Sequence, residues 1–124
     1  MSGIGGLDAI TIDCVDALAL ARFWATVFGT EIESAVGDGP AYVDLLPVPG
    51  ISILRFQHVP EPKTVKNRVH LDVAVADLDA ARARVEALGG RRISAGVFAE
   101  YTYRWIVMSD PEGNEFCLVT RVGG

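Results

Sequence analysis

The sequence has little positive charge. Its 124 residues carry 11 Lys and Arg against 16 Asp and Glu, a formal net charge of −5. The basic residues form no stripe, so no nucleic-acid footprint is present. Long apolar runs are also missing. Nothing approaches the roughly 20 residues that cross a bilayer as a helix. Met1 to Leu7 contains no basic residue and does not read as a secretory leader. Cysteine is scarce: Cys14 and Cys117 are far apart and form no CxxC pair. Both are expected to be free thiols in a reducing cytoplasm. No Ser-His-Asp order, phosphate loop or dinucleotide fingerprint occurs, and Gly5-Gly6 and Gly89-Gly90 are too short to cradle a phosphate.

What is present is core-forming. Half of the residues are hydrophobic and 22% are charged, which fits a packed domain rather than disorder. Ala9 to Cys14 alternates and reads as a half-buried strand. Asp16 is a helix N-cap, followed by Leu18, Ala21, Phe23, Trp24 and Val27 at helical spacing, with Gly29 as the C-terminal cap. Strands are expected over Thr30 to Ser34, Ala41 to Leu46 and Ile51 to His58. Pro60 and Pro62 mark a linker.

The pattern then repeats. Val69 to Val73 alternates, Asp77 caps a helix over Leu78 to Leu88, and Gly89-Gly90 ends it. Strands follow over Arg91 to Ser94, Tyr101 to Met108 and Glu115 to Arg121, the last two joined by the turn Asp110 to Asn114. Asp16 to Asp77, Gly29 to Gly90 and Ile32 to Ile93 each span 61 positions. One offset across strand, helix and strand indicates an internal duplication. The expected fold is α+β: two βαβββ modules, about 7–59 and 67–122 with a linker at 60–66, forming a single domain.

Strand parity sorts the side chains. Ile10, Ile12 and Cys14 share one face of the first strand, with Ala9, Thr11 and Asp13 on the other. Val69, Leu71 and Val73 oppose His70 and Asp72, and Phe116 and Leu118 oppose Glu115 and Cys117. The apolar faces are expected under the helices, and the second faces are expected to line a cleft. Arg55, Arg68 and Arg104 are candidate partners for the carboxylates. Arg55 shares parity with Gln57, and Tyr103 shares it with Trp105. The acids either serve a ligand or are simply solvated. His70 either touches a ligand or bonds a carboxylate, and beside a carboxylate it can act as a general base. Cys117 reads as a small buried hydrophobe rather than a nucleophile.

Three segments, DALALARFWATVFG (16–29), HLDVAVADLDAARARVEALG (70–89) and DPEGNEFCL (110–118), resemble the vicinal oxygen chelate superfamily. That superfamily includes glyoxalase I, bleomycin-resistance proteins and extradiol dioxygenases. KNRVHLD (66–72) is similar to a glyoxalase-like subgroup whose members mostly lack an assigned reaction. The resemblance implies two modules related by a pseudo-twofold axis, an open curved mixed sheet with a central cleft, and a homodimer. It also implies metal ligands on the first and last strand of each module. His70 matches one such position, while the module-one equivalent is Ala9, which cannot ligate. The last-strand position is Cys117, with Glu115 two residues earlier, and the fourth falls on Phe56 or Gln57. No metal or other cofactor is therefore expected. A divalent ion, if bound, would use His70, Gln57, Cys117 and Glu115. The resulting expectation is a cytoplasmic protein that holds a small organic molecule, for sequestration or resistance. Its ligand-binding set is Asp13, Arg55, Gln57, His70, Asp72, Trp105, Glu115 and Cys117. The alternative is a glyoxalase-like lyase or isomerase with His70 as acid/base or metal ligand. No nucleic-acid or membrane partner is expected.

Overall fold

A computed structural model describes residues 3–51 and 53–122. Position 52, inside an anticipated strand, lies outside the described residues. The chain divides into two compact units, Met1–Pro62 and Lys63–Gly124. Among the described residues, no helix is long and apolar enough to cross a membrane.

The first unit runs β1 (Ile10–Cys14), α1 (Ala17–Phe28), β2 (Ile32–Val36), β3 (Tyr42–Leu45) and β4 (Leu54–His58). Its sheet order is β1-β4-β3-β2, with β1 parallel to β4 and the other pairs antiparallel. Asp16 caps α1 as the sequence indicates, accepting a bond from the Ala19 N–H at 3.0 Å. The helix buries Leu20, Ala21, Phe23 and Trp24. Beneath it lie Cys14, Val43, Leu45, Leu54 and Phe56, each less than 5% exposed. Alternation on β1 and β4 sends Thr11, Asp13, Arg55 and Gln57 to the other face.

The second unit runs β5 (Asp72–Ala74), α2 (Leu78–Ala87), β6 (Arg91–Arg92), β7 (Phe98–Glu100), β8 (Tyr103–Ser109) and β9 (Glu115–Arg121). The order is β5-β9-β8-β6, with β7 also on β8. Strands β6 and β7 occupy the same flank of β8 in succession. The Ser94 hydroxyl accepts from the Val107 N–H at 3.0 Å between them. The third element of this βαβββ module is thus one strand broken in the middle. Neither sheet closes into a barrel, and the architecture is the anticipated mixed α+β.

Three details differ from the sequence reading. Helix α2 is shorter than α1, and its left-handed terminal glycine is Gly89 (φ 103) rather than Gly90, against Gly29 (φ 65) in α1. Strand β7 was not anticipated, because Tyr101-Thr102, the two-residue turn after it, contains neither Gly nor Asn. Val69 is 77% exposed instead of packing under a helix, since β5 begins only at Asp72. Before that point side chains replace the ladder. Asn67 accepts from the Glu115 N–H at 2.7 Å and donates to the Val69 carbonyl at 2.7 Å and the Glu115 carbonyl at 3.3 Å.

Candidate functional site

Parity on β8 and β9 divides the second unit's sheet into two faces. Ile106, Met108, Phe116 and Leu118 turn inward and are buried. The opposite face is ordered in rungs by the register. Asp72 pairs with Cys117 and Cys117 with Val107. Ala74 pairs with Val119, Val119 with Trp105, and Trp105 with Phe98. Tyr103 pairs with both Arg121 and Glu100. These rungs floor a pocket of about 610 Å³. Four of the anticipated residues line it: His70, Asp72, Trp105 and Cys117. Glu100, Tyr101, Tyr103 and Val119 complete the lining. Tyr103 was visible by parity. Glu100 and Tyr101 were not, because they arrive on the unanticipated hairpin.

The polar end of the pocket is a linked trio. His70 Nε2 lies 3.3 Å from Asp72 Oδ1. The ligating atoms of His70, Asp72 and Cys117 all fall within 4.8 Å of one another. Burial pushes the Cys117 thiol up to about 11, and the Asp72 carboxylate adds to this by its charge and by accepting the thiol proton. A neutral thiol is a poor nucleophile. Cys14 is likewise a buried thiol outside any disulfide, and it donates to the Gln57 carbonyl at 3.5 Å.

The Cys117 shift makes a direct prediction. At pH 8 native Cys117 carries about a hundredfold less thiolate than an ordinary cysteine, so iodoacetamide should label it slowly. In urea both thiols should react at the ordinary rate. The folded state binds this proton more tightly than the unfolded chain. The resulting stabilisation is whole below pH 9.0 and is lost as the pH rises toward about 11. Fast labelling of native Cys117 at pH 8 would show an ionised thiol and remove this account.

Glu115 does not join the pocket. Its carboxylate bonds Lys63 Nζ at 2.8 Å and the Asn67 N–H at 3.4 Å. Burial works to raise its pKa, but these partners outweigh that and hold it below the ordinary carboxylate range. Its role is to tie the segment preceding His70 onto β9.

Asp13, Arg55 and Gln57 belong to the first unit. Asp13 is exposed and faces Gln57 in the β1–β4 register. Arg55 is held by Asp44 in a two-pronged pair, at 2.8 Å and 3.0 Å. Arg104 lies on the other parity of β8 and donates to the Tyr101 and Tyr103 carbonyls at 3.1 Å and 2.8 Å. Two of the anticipated guanidinium partners, Arg55 and Arg104, are thus engaged elsewhere, the first by the Asp44 carboxylate.

The register also fixes the fourth metal position of the superfamily pattern. Asp72 pairs with Cys117, and its module-one counterpart Thr11 pairs with Arg55. Buried Leu54 and Phe56 match Phe116 and Leu118 in the same way. The module-one equivalent of Cys117 is therefore Arg55, not Phe56 or Gln57. Module one offers a methyl group at Ala9 and a paired guanidinium at Arg55. Neither donates electrons to a metal. The residues do not fit a site that draws ligands from both modules.

Two βαβββ modules of matching strand order, with a polar trio gathered where the first and last strands of one run side by side, define a protein of the vicinal oxygen chelate superfamily. A family model described as a glyoxalase-like domain matches residues 9–119, and the chain belongs to that family. No curated protein matches the sequence. Solved structures of similar fold include a glyoxalase family protein from Bacillus cereus, with a TM-score of 0.74 and 15% identity over 98% of this chain and 97% of that one. A glyoxalase/bleomycin resistance protein/dioxygenase from Nocardioides gives 0.73 and 19%, over 100% and 88% of the two chains. A family enzyme of the same description from Burkholderia phytofirmans gives 0.68 and 22%, over 93% and 98%.

Proposed function

We propose that this protein is a metal-free binder of a small organic molecule, which it holds on the pocket face of its second unit. The observation that carries this reading is the lining itself. A pocket of about 610 Å³ presents Trp105, Tyr103 and Val119 as apolar wall and His70 and Asp72 as convergent polar groups. Small-molecule sites have this composition, mostly apolar with a few placed polar groups. The Ala9 and Arg55 positions argue against a metal-dependent version. On this proposal the protein works in the cytoplasm as a homodimer and engages neither nucleic acid nor membrane.

A second reading has its own observation. The His70–Asp72 contact at 3.3 Å is a base and its orienting carboxylate. In a lyase or isomerase, His70 would take a proton from the substrate and return it, with Asp72 holding the ring.

A thermal-shift screen of a small-metabolite library in EDTA tests the proposal, because a ligand bound to the native state raises its stability. At least one compound should raise the melting temperature. His70→Ala should weaken that compound about tenfold by removing one of few polar contacts. If the purified protein carries one equivalent of a divalent ion and chelation abolishes binding, the metal-free reading is wrong. Turnover of a hit by wild type but not by His70→Ala would favour the enzyme reading.

A further inference from the structure

Building on the reading of this pocket as a small-molecule site, we propose that its ligand is an organic cation with a flat, delocalised body. The lining holds two carboxylates, Asp72 and Glu100, and neither Lys nor Arg, while the guanidinium of the adjoining Tyr103 rung, Arg121, rests on the Tyr103 ring. The Asp72 carboxylate meets the His70 ring and the Cys117 thiol, neither of which is a fixed cation. The Glu100 carboxylate has no hydrogen bond or ion pair among the described residues. A ligand covering it with neither a positive charge nor a hydrogen-bond donor would strip it of water and give nothing back, and a cation returns the most. An anionic ligand would add repulsion from both acids. The chain's net charge of −5 adds a long-range pull on cations.

The walls suit a delocalised cation. Trp105 lines the pocket and is stacked with Phe98 at 5.6 Å between centroids, which fixes its ring plane. The Arg121 guanidinium sits 4.7 Å from the Tyr103 ring centre and donates to the Tyr103 hydroxyl. A flat cation already rests on one aromatic ring of this pocket, and Trp105 is a better cation–π surface than tyrosine. Tyr101 is held at φ 52, a left-handed backbone that aromatic residues rarely adopt, with the residue 90% exposed. That places a solvated ring at the lining, next in sequence to Glu100.

Three probes of one shape test this by titration calorimetry at pH 8: 1-methylquinolinium, neutral quinoline and quinoline-4-carboxylate. The cation should bind about tenfold more tightly than quinoline, and the carboxylate should not bind measurably. Glu100→Gln should cut the cation's advantage by about threefold to fivefold while leaving quinoline within about twofold, and Asp72→Asn should cut the cation's advantage by a similar factor. Both residues are exposed, so neither variant should disturb the fold, and matching melting curves check this. Equal binding of cation and quinoline would leave the pocket reading standing and overturn the cation inference. A preference unchanged in both variants would place the cation elsewhere and overturn it too. Failure of all three probes also overturns it, while the pocket reading is decided separately by the library screen.

Discussion

Replacing Gly90 by alanine is expected to cost about 3 kcal/mol and to lower the melting temperature by about 10 °C. An added Cβ would lie 2.5 Å from Val85 Cγ1, 2.9 Å from the Ser109 carbonyl oxygen and 3.1 Å from the Val85 carbonyl oxygen. Two of these atoms are backbone and cannot rotate away. The third belongs to Val85, the one residue of α2 that is fully buried. Gly90 is therefore the point where the end of α2 closes onto β8, and its N–H bonds the Val85 carbonyl at 3.0 Å. Relief would require the helix end to lift from the sheet. Gly96 is the control, since a Cβ there meets nothing within 4 Å and its φ is ordinary. Gly96→Ala should stay within about 0.5 kcal/mol. Urea unfolding of the two variants makes the comparison. A cost below about 1 kcal/mol at Gly90 would mean that α2 does not pack this closely.

The role of Gly90 illustrates how the duplication was legible and where it loosened. The 61-residue spacing holds at the helix N-caps, Asp16 and Asp77. Both cap through the same side-chain bond, because that chemistry is local. It fails at the C-caps, where α2 ends early and Gly89 takes the left-handed position. Gly90 is thereby freed for close packing, a tertiary demand that periodicity cannot register. On the last strand the offset becomes 62, since Cys117 matches Arg55. Only hydrogen-bond register reveals this.

The candidate site was half legible for the same reason. Alternation placed Asp72, Cys117 and Trp105 on one face, because a strand leaves a side chain no other choice. It also placed Glu115 there, correctly as to face. Yet the carboxylate is taken by Lys63 and Asn67, whose segment has no strand periodicity to announce it. The asparagine amide acts there as a substitute strand residue, which no hydrophobic pattern encodes. Arg55–Asp44 is a cross-strand pair in register, and alternation within a single strand does not encode how β3 pairs with β4. Glu100 and Tyr101 depend on a hairpin turn built without the usual turn residues.

Asp110→Ala is expected to cost a comparable amount, about 3 kcal/mol, and to damage the pocket as well. Asp110 is 2% exposed. Its Oδ1 accepts from the Glu112 N–H at 2.9 Å and the Asn114 N–H at 3.0 Å, and its Oδ2 accepts from Asn114 Nδ2 at 2.9 Å. Alanine removes both acceptor oxygens and leaves three donors unmatched in a part-buried turn. Asn at this position can keep the two backbone bonds through its carbonyl oxygen, but it turns an NH₂ toward the Asn114 amide. Asp110→Asn should therefore lose about half as much. The functional consequence comes through register. This turn sets β8 against β9 from the Ser109–Glu115 pair down to Trp105–Val119 and Tyr103–Arg121. Trp105 and Tyr103 reach the pocket from one strand, and Cys117 and Val119 from the other. A one-residue slip would turn one pair away from the pocket. Trp105 emission should shift in the folded Asp110→Ala protein, and its affinity for any compound found in the screen should fall. A urea midpoint equal to wild type would mean that water replaces the carboxylate in all three bonds. Lost stability with unchanged affinity would confine the turn to holding the fold.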